Sequence, residues 1–148
     1  MKFFIYPKQH ESVVVIDDNE VTLKMTSMML EKFVTNTIRI HVTKDSNIND
    51  VVNVIRQAIK QGKLIKFILS DYQMPLPFDD LVKGIHEAFP DLPIAAITST
   101  DHDEIASMNK ENLLLVLPRP FTVTNWDQLS DALKELHVET FSQNMTLL

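Results

Sequence analysis

The chain has 148 residues, 45% of them apolar and 23% charged, with a formal net charge of −6 and no cysteine. That length is enough to close one hydrophobic core, and the composition excludes the disordered and fibrous classes. Disulfides, thiolate metal sites and cysteine nucleophiles are excluded outright, and the acidic balance opposes direct nucleic-acid binding, which depends on neutralising phosphates.

At the start of the chain, Phe3, Phe4 and Ile5 are apolar, but Pro7, Lys8 and His10 follow too soon for a secretory signal. No apolar run reaches the roughly 18 residues that a bilayer crossing needs. The expected location is therefore the cytoplasm, with no membrane partner. Ser12-Val13-Val14-Val15-Ile16 is a continuous β-branched run, the mark of a strand buried on both faces. Asp17-Asp18-Asn19 then offers capping side chains ahead of a helix from Glu20 to Phe33. In it Val21, Met25, Met28, Met29 and Phe33 fall at helical spacing. Ile38, Ile40 and Val42 alternate with polar residues, as in a half-exposed strand. Ile48 to Gln61 reads as a helix with Ile48, Val51, Val52, Ile55, Ala58 and Ile59 on one stripe, and Gly62 just past its end.

Phe67-Ile68-Leu69 is a third strand, ending at Ser70-Asp71. Leu81, Val82, Ile85 and Phe89 mark a helix that must stop before Pro90. Ile94 to Thr98 is another buried strand, and a short helix is expected over Glu104 to Asn109. Leu113 to Leu117 forms a last strand, closed by Pro118-Arg119-Pro120. The final helix is predicted from about Thr124 to His137, with Trp126, Leu129, Leu133 and Leu136 inward and a patternless tail beyond. Strands alternating with helices require crossovers and a parallel sheet covered on both faces. The expectation is one α/β domain over residues 1–148, core about 11–138. Its fold would be a flavodoxin-like, doubly wound (βα)5 sheet of strand order 2-1-3-4-5.

The acids sit where that fold binds ligands. Asp17 and Asp18 follow the first strand and Asp71 ends the third. In a 2-1-3-4-5 sheet these two strand ends flank the crevice at which strand order reverses. One such aspartate is more often a helix cap or a turn residue than a ligand; three at two neighbouring strand ends are harder to assign to capping. Clustered carboxylates need a cation, and an all-oxygen set suits Mg²⁺. A metal beside a free carboxylate oxygen prepares that oxygen for phosphoryl transfer. Thr98 closes the fourth strand with a hydroxyl able to donate to a phosphoryl oxygen, and Arg119 closes the fifth with a cation.

In this order the segments resemble the receiver domains of two-component response regulators. The resemblance runs from about Glu11 to Leu136. It rests on Val13-Val14-Val15-Ile16-Asp17-Asp18-Asn19-Glu20, Ile68-Leu69-Ser70-Asp71-Tyr72-Gln73-Met74-Pro75, Leu92-Pro93-Ile94-Ala95-Ala96-Ile97-Thr98 and Leu117-Pro118-Arg119-Pro120-Phe121. It implies a phosphoacceptor at Asp71, supplied by a sensor histidine kinase or a histidine phosphotransfer protein, and output through a downstream protein partner. It further implies Mg²⁺ held by Asp18, Asp71 and the backbone carbonyl of Gln73, with Asp17 acting through water. Thr98 would contact the phosphoryl group and shift with it. No catalysis is expected beyond the domain's own phosphorylation and dephosphorylation.

Three positions depart from the family pattern. Arg119 stands where a lysine is usual, and a planar fork is not a compact charge. Val116 occupies the position of the aromatic switch and has no ring to swing. Leu76-Pro77-Phe78-Asp79-Asp80 replaces a loop that usually carries Asp-Gly. A pseudo-receiver, a module that binds partners without phosphorylation, is therefore the competing reading. A haloacid-dehalogenase-type hydrolase would need its second acid two residues after the first, which Asp17-Asp18-Asn19 does not provide. A flavodoxin would need a Ser/Thr/Gly-rich phosphate loop after the first strand.

Overall fold

A computed structural model of the chain describes residues 11–34, 36–98, 105–106 and 108–146, with side chains as far as residue 136. Among these residues there are five strands: β1 (Glu11–Asp17), β2 (Asn36–His41), β3 (Leu64–Asp71), β4 (Ile94–Thr98) and β5 (Leu115–Pro118). Four helices accompany them: α1 (Glu20–Leu30), α2 (Ile48–Lys60), α3 (Phe78–Ala88) and α4 (Val123–Thr146). The strands form one all-parallel sheet in the order β2-β1-β3-β4-β5. The flavodoxin-like order expected from the alternation is thus present. The short helix expected over Glu104–Asn109 lies largely outside the described residues, of which Ile105 and Ala106 are helical.

Burial divides the core by strand parity. Val14, Ile16, Ile68, Ile94 and Ala96 face α2 and α3, meeting Val51, Val52, Ile55, Leu81, Val82 and Ile85. Val13, Val15, Phe67, Leu69, Ala95, Ile97 and Leu117 face the opposite way, toward Leu23, Leu30, Leu129 and Leu133 of α1 and α4. Each fully buried aliphatic side chain contributes about 1.5–3 kcal/mol, so a sheet filled from both sides is held by burial more than by strand propensity.

Local chemistry sets the helix ends. Asn47 and Asp50 form a reciprocal capping box at the start of α2, and Gly62 takes a positive φ of 87° just past its end. Thr122 and Asn125 satisfy each other in the same way ahead of α4: the Thr122 N–H donates to Asn125 Oδ1 at 2.7 Å, and the Asn125 N–H to Thr122 Oγ1 at 3.3 Å. On α2 Val51, Val52, Ile55 and Ala58 are buried as the stripe requires, but Ile59 is exposed, since the stripe is narrower than its apolar residues. The backbone of α4 runs on to Thr146, past the predicted end near His137.

α1 differs most from its pattern. Val21, Met25 and Met28, at helical spacing in the sequence, are exposed, and the buried set is Leu23, Thr26, Ser27 and Leu30. Two small polar residues form part of the inner face. Among the described residues neither the Ser27 Oγ nor that of Ser12 on β1 finds a hydrogen-bond partner.

Candidate functional site

The sheet brings the expected residues to one edge. Ile16 of β1 pairs with Ser70 of β3, and the next residues along each strand are Asp17 and Asp71. Strand order reverses between these two strands. Asp17 and Asp71 share the parity of Val13 and Val15, and of Phe67 and Leu69, which fixes them on the face that carries α1 and α4. Arg119, one residue beyond β5, continues the parity of Leu115 and Leu117 onto the same face.

These three side chains are joined directly. Arg119 Nη2 donates to Asp17 Oδ2 at 2.7 Å and lies 3.0 Å from Asp71 Oδ1. The Arg119 side chain is 17% exposed, against 3% for Asp17 and 11% for Asp71. A pair of carboxylates so far out of water requires a partner charge, and this guanidinium supplies it. The other Asp17 oxygen, Oδ1, accepts the Asn19 N–H at 3.0 Å. Both Asp17 oxygens are therefore engaged.

Burial pushes the Asp71 carboxyl above its ordinary pKa, with Asp17 and Asp18 adding to the rise and Arg119 opposing it. For Arg119 burial works against the charge, but its hydrogen bonds to Asp71 and Asp17 outweigh burial and hold the proton more firmly than in a free arginine. The Arg119–Pro120 peptide is cis, and the Arg119 N–H donates to the Thr98 carbonyl at 3.0 Å.

Asp18 is half-buried at the mouth of this pocket. The helix-cap reading of Asp18 is answered by its neighbour: Asn19 is the N-cap of α1, and its side chain accepts the Thr22 N–H at 3.0 Å. With Asn19 in that role, Asp18 is left for the pocket. Carboxylate oxygens of Asp17, Asp18 and Asp71 all lie within 4.8 Å of one another. Three close carboxylates, one of them partly open to solvent, form an oxygen donor set that fits a hard divalent cation.

The remaining candidates stand around this centre. Thr98 is buried at the end of β4, in register with Pro118, with the parity of Ile94 and Ala96 rather than that of Asp71. Gln73 is exposed in the bend two residues after Asp71. Val116 pairs with Ala96 and packs on the α2–α3 side of the core. One neighbour was not foreseen. His41, at the end of β2 and in register with Asp17, has Nε2 2.9 Å from the Asp18 carbonyl oxygen and Nδ1 3.5 Å from Glu20. A carbonyl only accepts, so Nε2 carries the hydrogen. The sequence signal for it was its position at a strand end beside the acidic pair.

The geometry is similar to that of known structures. A response-regulator receiver-domain protein from Clostridium thermocellum superposes with a TM-score of 0.59 at 22% identity, over 93% of this chain and 99% of its own. A two-component response regulator from Cytophaga hutchinsonii gives 0.65 at 18% identity, over 84% and 97%. A CheY-like receiver-domain protein from Methanospirillum hungatei gives 0.65 at 14% identity, over 87% and 98%. No protein-family model and no curated protein matches the chain. The fold is that of response-regulator receiver domains.

Proposed function

We propose that this chain, read as one domain, is a phosphoacceptor receiver of two-component signalling, with Asp71 as the residue modified. The observation that carries the reading is the convergence of Asp17, Asp18 and Asp71 with Arg119 at the strand-order reversal. An Asp71 oxygen attacks the phosphorus of a phosphohistidine on a sensor kinase or phosphotransfer protein. The P–N bond breaks, the imidazole leaves with the electron pair, and Asp71 becomes an acyl phosphate. Asp18, Asp71 and the Gln73 carbonyl would hold Mg²⁺, with Asp17 acting through water. When bound there, the ion would supply positive charge against the phosphoryl oxygens.

The chain's own residues do the rest. Burial keeps water from Asp71, and the Asp17 oxygens fix Asn19 and Arg119 around it. Thr98 supplies a hydroxyl to the phosphoryl group and Arg119 a second cation. The domain is proposed to work in the cytoplasm, to contact no nucleic acid itself, and to act through a protein partner. Among the described residues no helix is long and apolar enough to cross a membrane.

A second reading, the phosphorylation-independent pseudo-receiver, draws on the engagement of Arg119 with both Asp17 and Asp71 and on Val116 at the switch position. Acetyl phosphate with Mg²⁺ separates the two. A phosphoryl mass added to the wild type and lost in Asp71→Asn supports the phosphoacceptor. No adduct, and no beryllofluoride-induced change, leaves the pseudo-receiver.

A further inference from the structure

The pocket already contains a cation of its own. Arg119 Nη2 reaches Asp17 Oδ2 and Asp71 Oδ1 together, at 2.7 and 3.0 Å, with its side chain four-fifths buried. These are carboxylates of the same set whose oxygens cluster within 4.8 Å. A guanidinium is always charged, and here one of its nitrogens lies between the two carboxylates and serves both, leaving the rest of its donor fork for other partners. Two carboxylates taken out of water would be unstable without it.

We infer that Arg119 is a resident counter-cation that competes with a divalent ion for this pocket, holding Asp17 Oδ2 and Asp71 Oδ1 until the ion displaces it. Arginine and metal are thus competing occupants of one pocket. This rests on the reading of that pocket as a divalent-cation site. Its consequence is an order of events. In the resting domain part of the acidic charge is offset internally by Arg119, and no metal is needed for it to stay folded. Loading the site with a divalent ion frees the Arg119 fork, which then faces the crevice with donors spaced for two phosphoryl oxygens. The same substitution that departs from the family pattern would therefore set the divalent concentration at which the domain becomes competent.

Linkage gives the sign: a competitor covalently tethered at the site weakens apparent metal affinity, and removing it restores the intrinsic value. The test is calorimetric titration of the wild type and Arg119→Gln with Mg²⁺ and Mn²⁺. It is paired with ¹⁵N-detected NMR of the arginine guanidinium groups in the wild type, a readout that requires no variant to fold. Arg119→Gln is expected to bind metal about tenfold or more tighter than the wild type. In the wild type, the slowly rotating Arg119 guanidinium signals should be released on Mg²⁺ addition, with the midpoint of metal binding. Metal binding to the wild type that leaves those signals unchanged would overturn the inference while keeping the site. So would equal or weaker affinity in Arg119→Gln, provided Asp18→Asn abolishes binding in both. No binding by either protein at tens of millimolar Mg²⁺ would overturn the inference and the metal reading together.

Discussion

Gly84 of α3 and Ile48 of α2 are packed so closely that a Cβ at Gly84 would overlap Ile48 Cγ2. The two helices cover one face of the sheet, and a glycine inside α3 sets their approach. Glycine in a helix interior is normally less favourable than alanine by about 1 kcal/mol, so Gly84→Ala should stabilise if nothing obstructed it. Overpacking typically costs about 1–3 kcal/mol, and the β-branched Ile48 has few rotamers into which it can retreat. Gly84→Ala is expected to lower stability in urea unfolding. In an Ile48→Ala background the same change should become neutral or favourable, which only direct contact explains.

Asp71 and pH are linked through burial. Its folded-state pKa is raised above the unfolded value, so between the two the folded protein holds more protons than the unfolded chain. Stability then falls as pH rises through that window, and above it the ionised carboxylate imposes a cost. Asn keeps the shape and removes the charge, leaving Arg119 paired with Asp17. Without divalent metal, Asp71→Asn should melt above the wild type at pH 7, by up to about 3 °C for a chain of this size. The gain should shrink as pH falls through the folded-state pKa of Asp71. A melting point at or below wild type at neutral pH would contradict the assignment of Asp71 as a desolvated carboxylate.

Asn19 and Asp18 can be separated by what each supports. Asn19 caps α1, so Asn19→Ala should cost about 1 kcal/mol of stability with divalent affinity reduced only slightly. Asp18→Asn should do the reverse: little change in metal-free unfolding, and loss of the Mg²⁺ or Mn²⁺ titration signal. If Asp18→Asn lost the larger stability instead, the capping role would belong to Asp18.

Ser27 is buried in α1, and its hydroxyl has no partner among the described residues. An unsatisfied buried hydroxyl costs about 1–3 kcal/mol, and serine is a poorer helix former than alanine. Ser27→Ala is therefore expected to stabilise by about 1 kcal/mol in a urea titration. Destabilisation would show that the hydroxyl has a partner, such as a bound water.

The sequence made the sheet plain because each central strand is a continuous apolar run too short and too apolar for an exposed helix. Right-handed crossovers leave few strand orders, of which 2-1-3-4-5 is a common one, and from that order came the meeting of Asp17, Asp18 and Asp71. The inner face of α1 was less accessible. Its apolar residues exceed what one face can hold, and close packing favoured small side chains at Thr26 and Ser27 over the longer Met25 and Met28. Arg119 was legible as a cation at a strand end. Its attachment to both Asp17 and Asp71 was not, since a side chain's reach across 102 positions depends on loop geometry that no periodicity encodes. His41 was less legible still: one of its two partners is a backbone carbonyl, which leaves no trace in residue type.

The outward methionines of α1 give the molecule a chemical label. Met25 and Met28 are 64% and 54% exposed, whereas Met108 is 7% exposed. Graded peroxide should convert the first two to sulfoxides well before the third, turning an oily ridge on α1 into a polar one. Oxidation mapped by mass would then act as a footprint. Any protein that docks against α1 should shield Met25 and Met28, so contact on that side of the domain can be read without first identifying what made it.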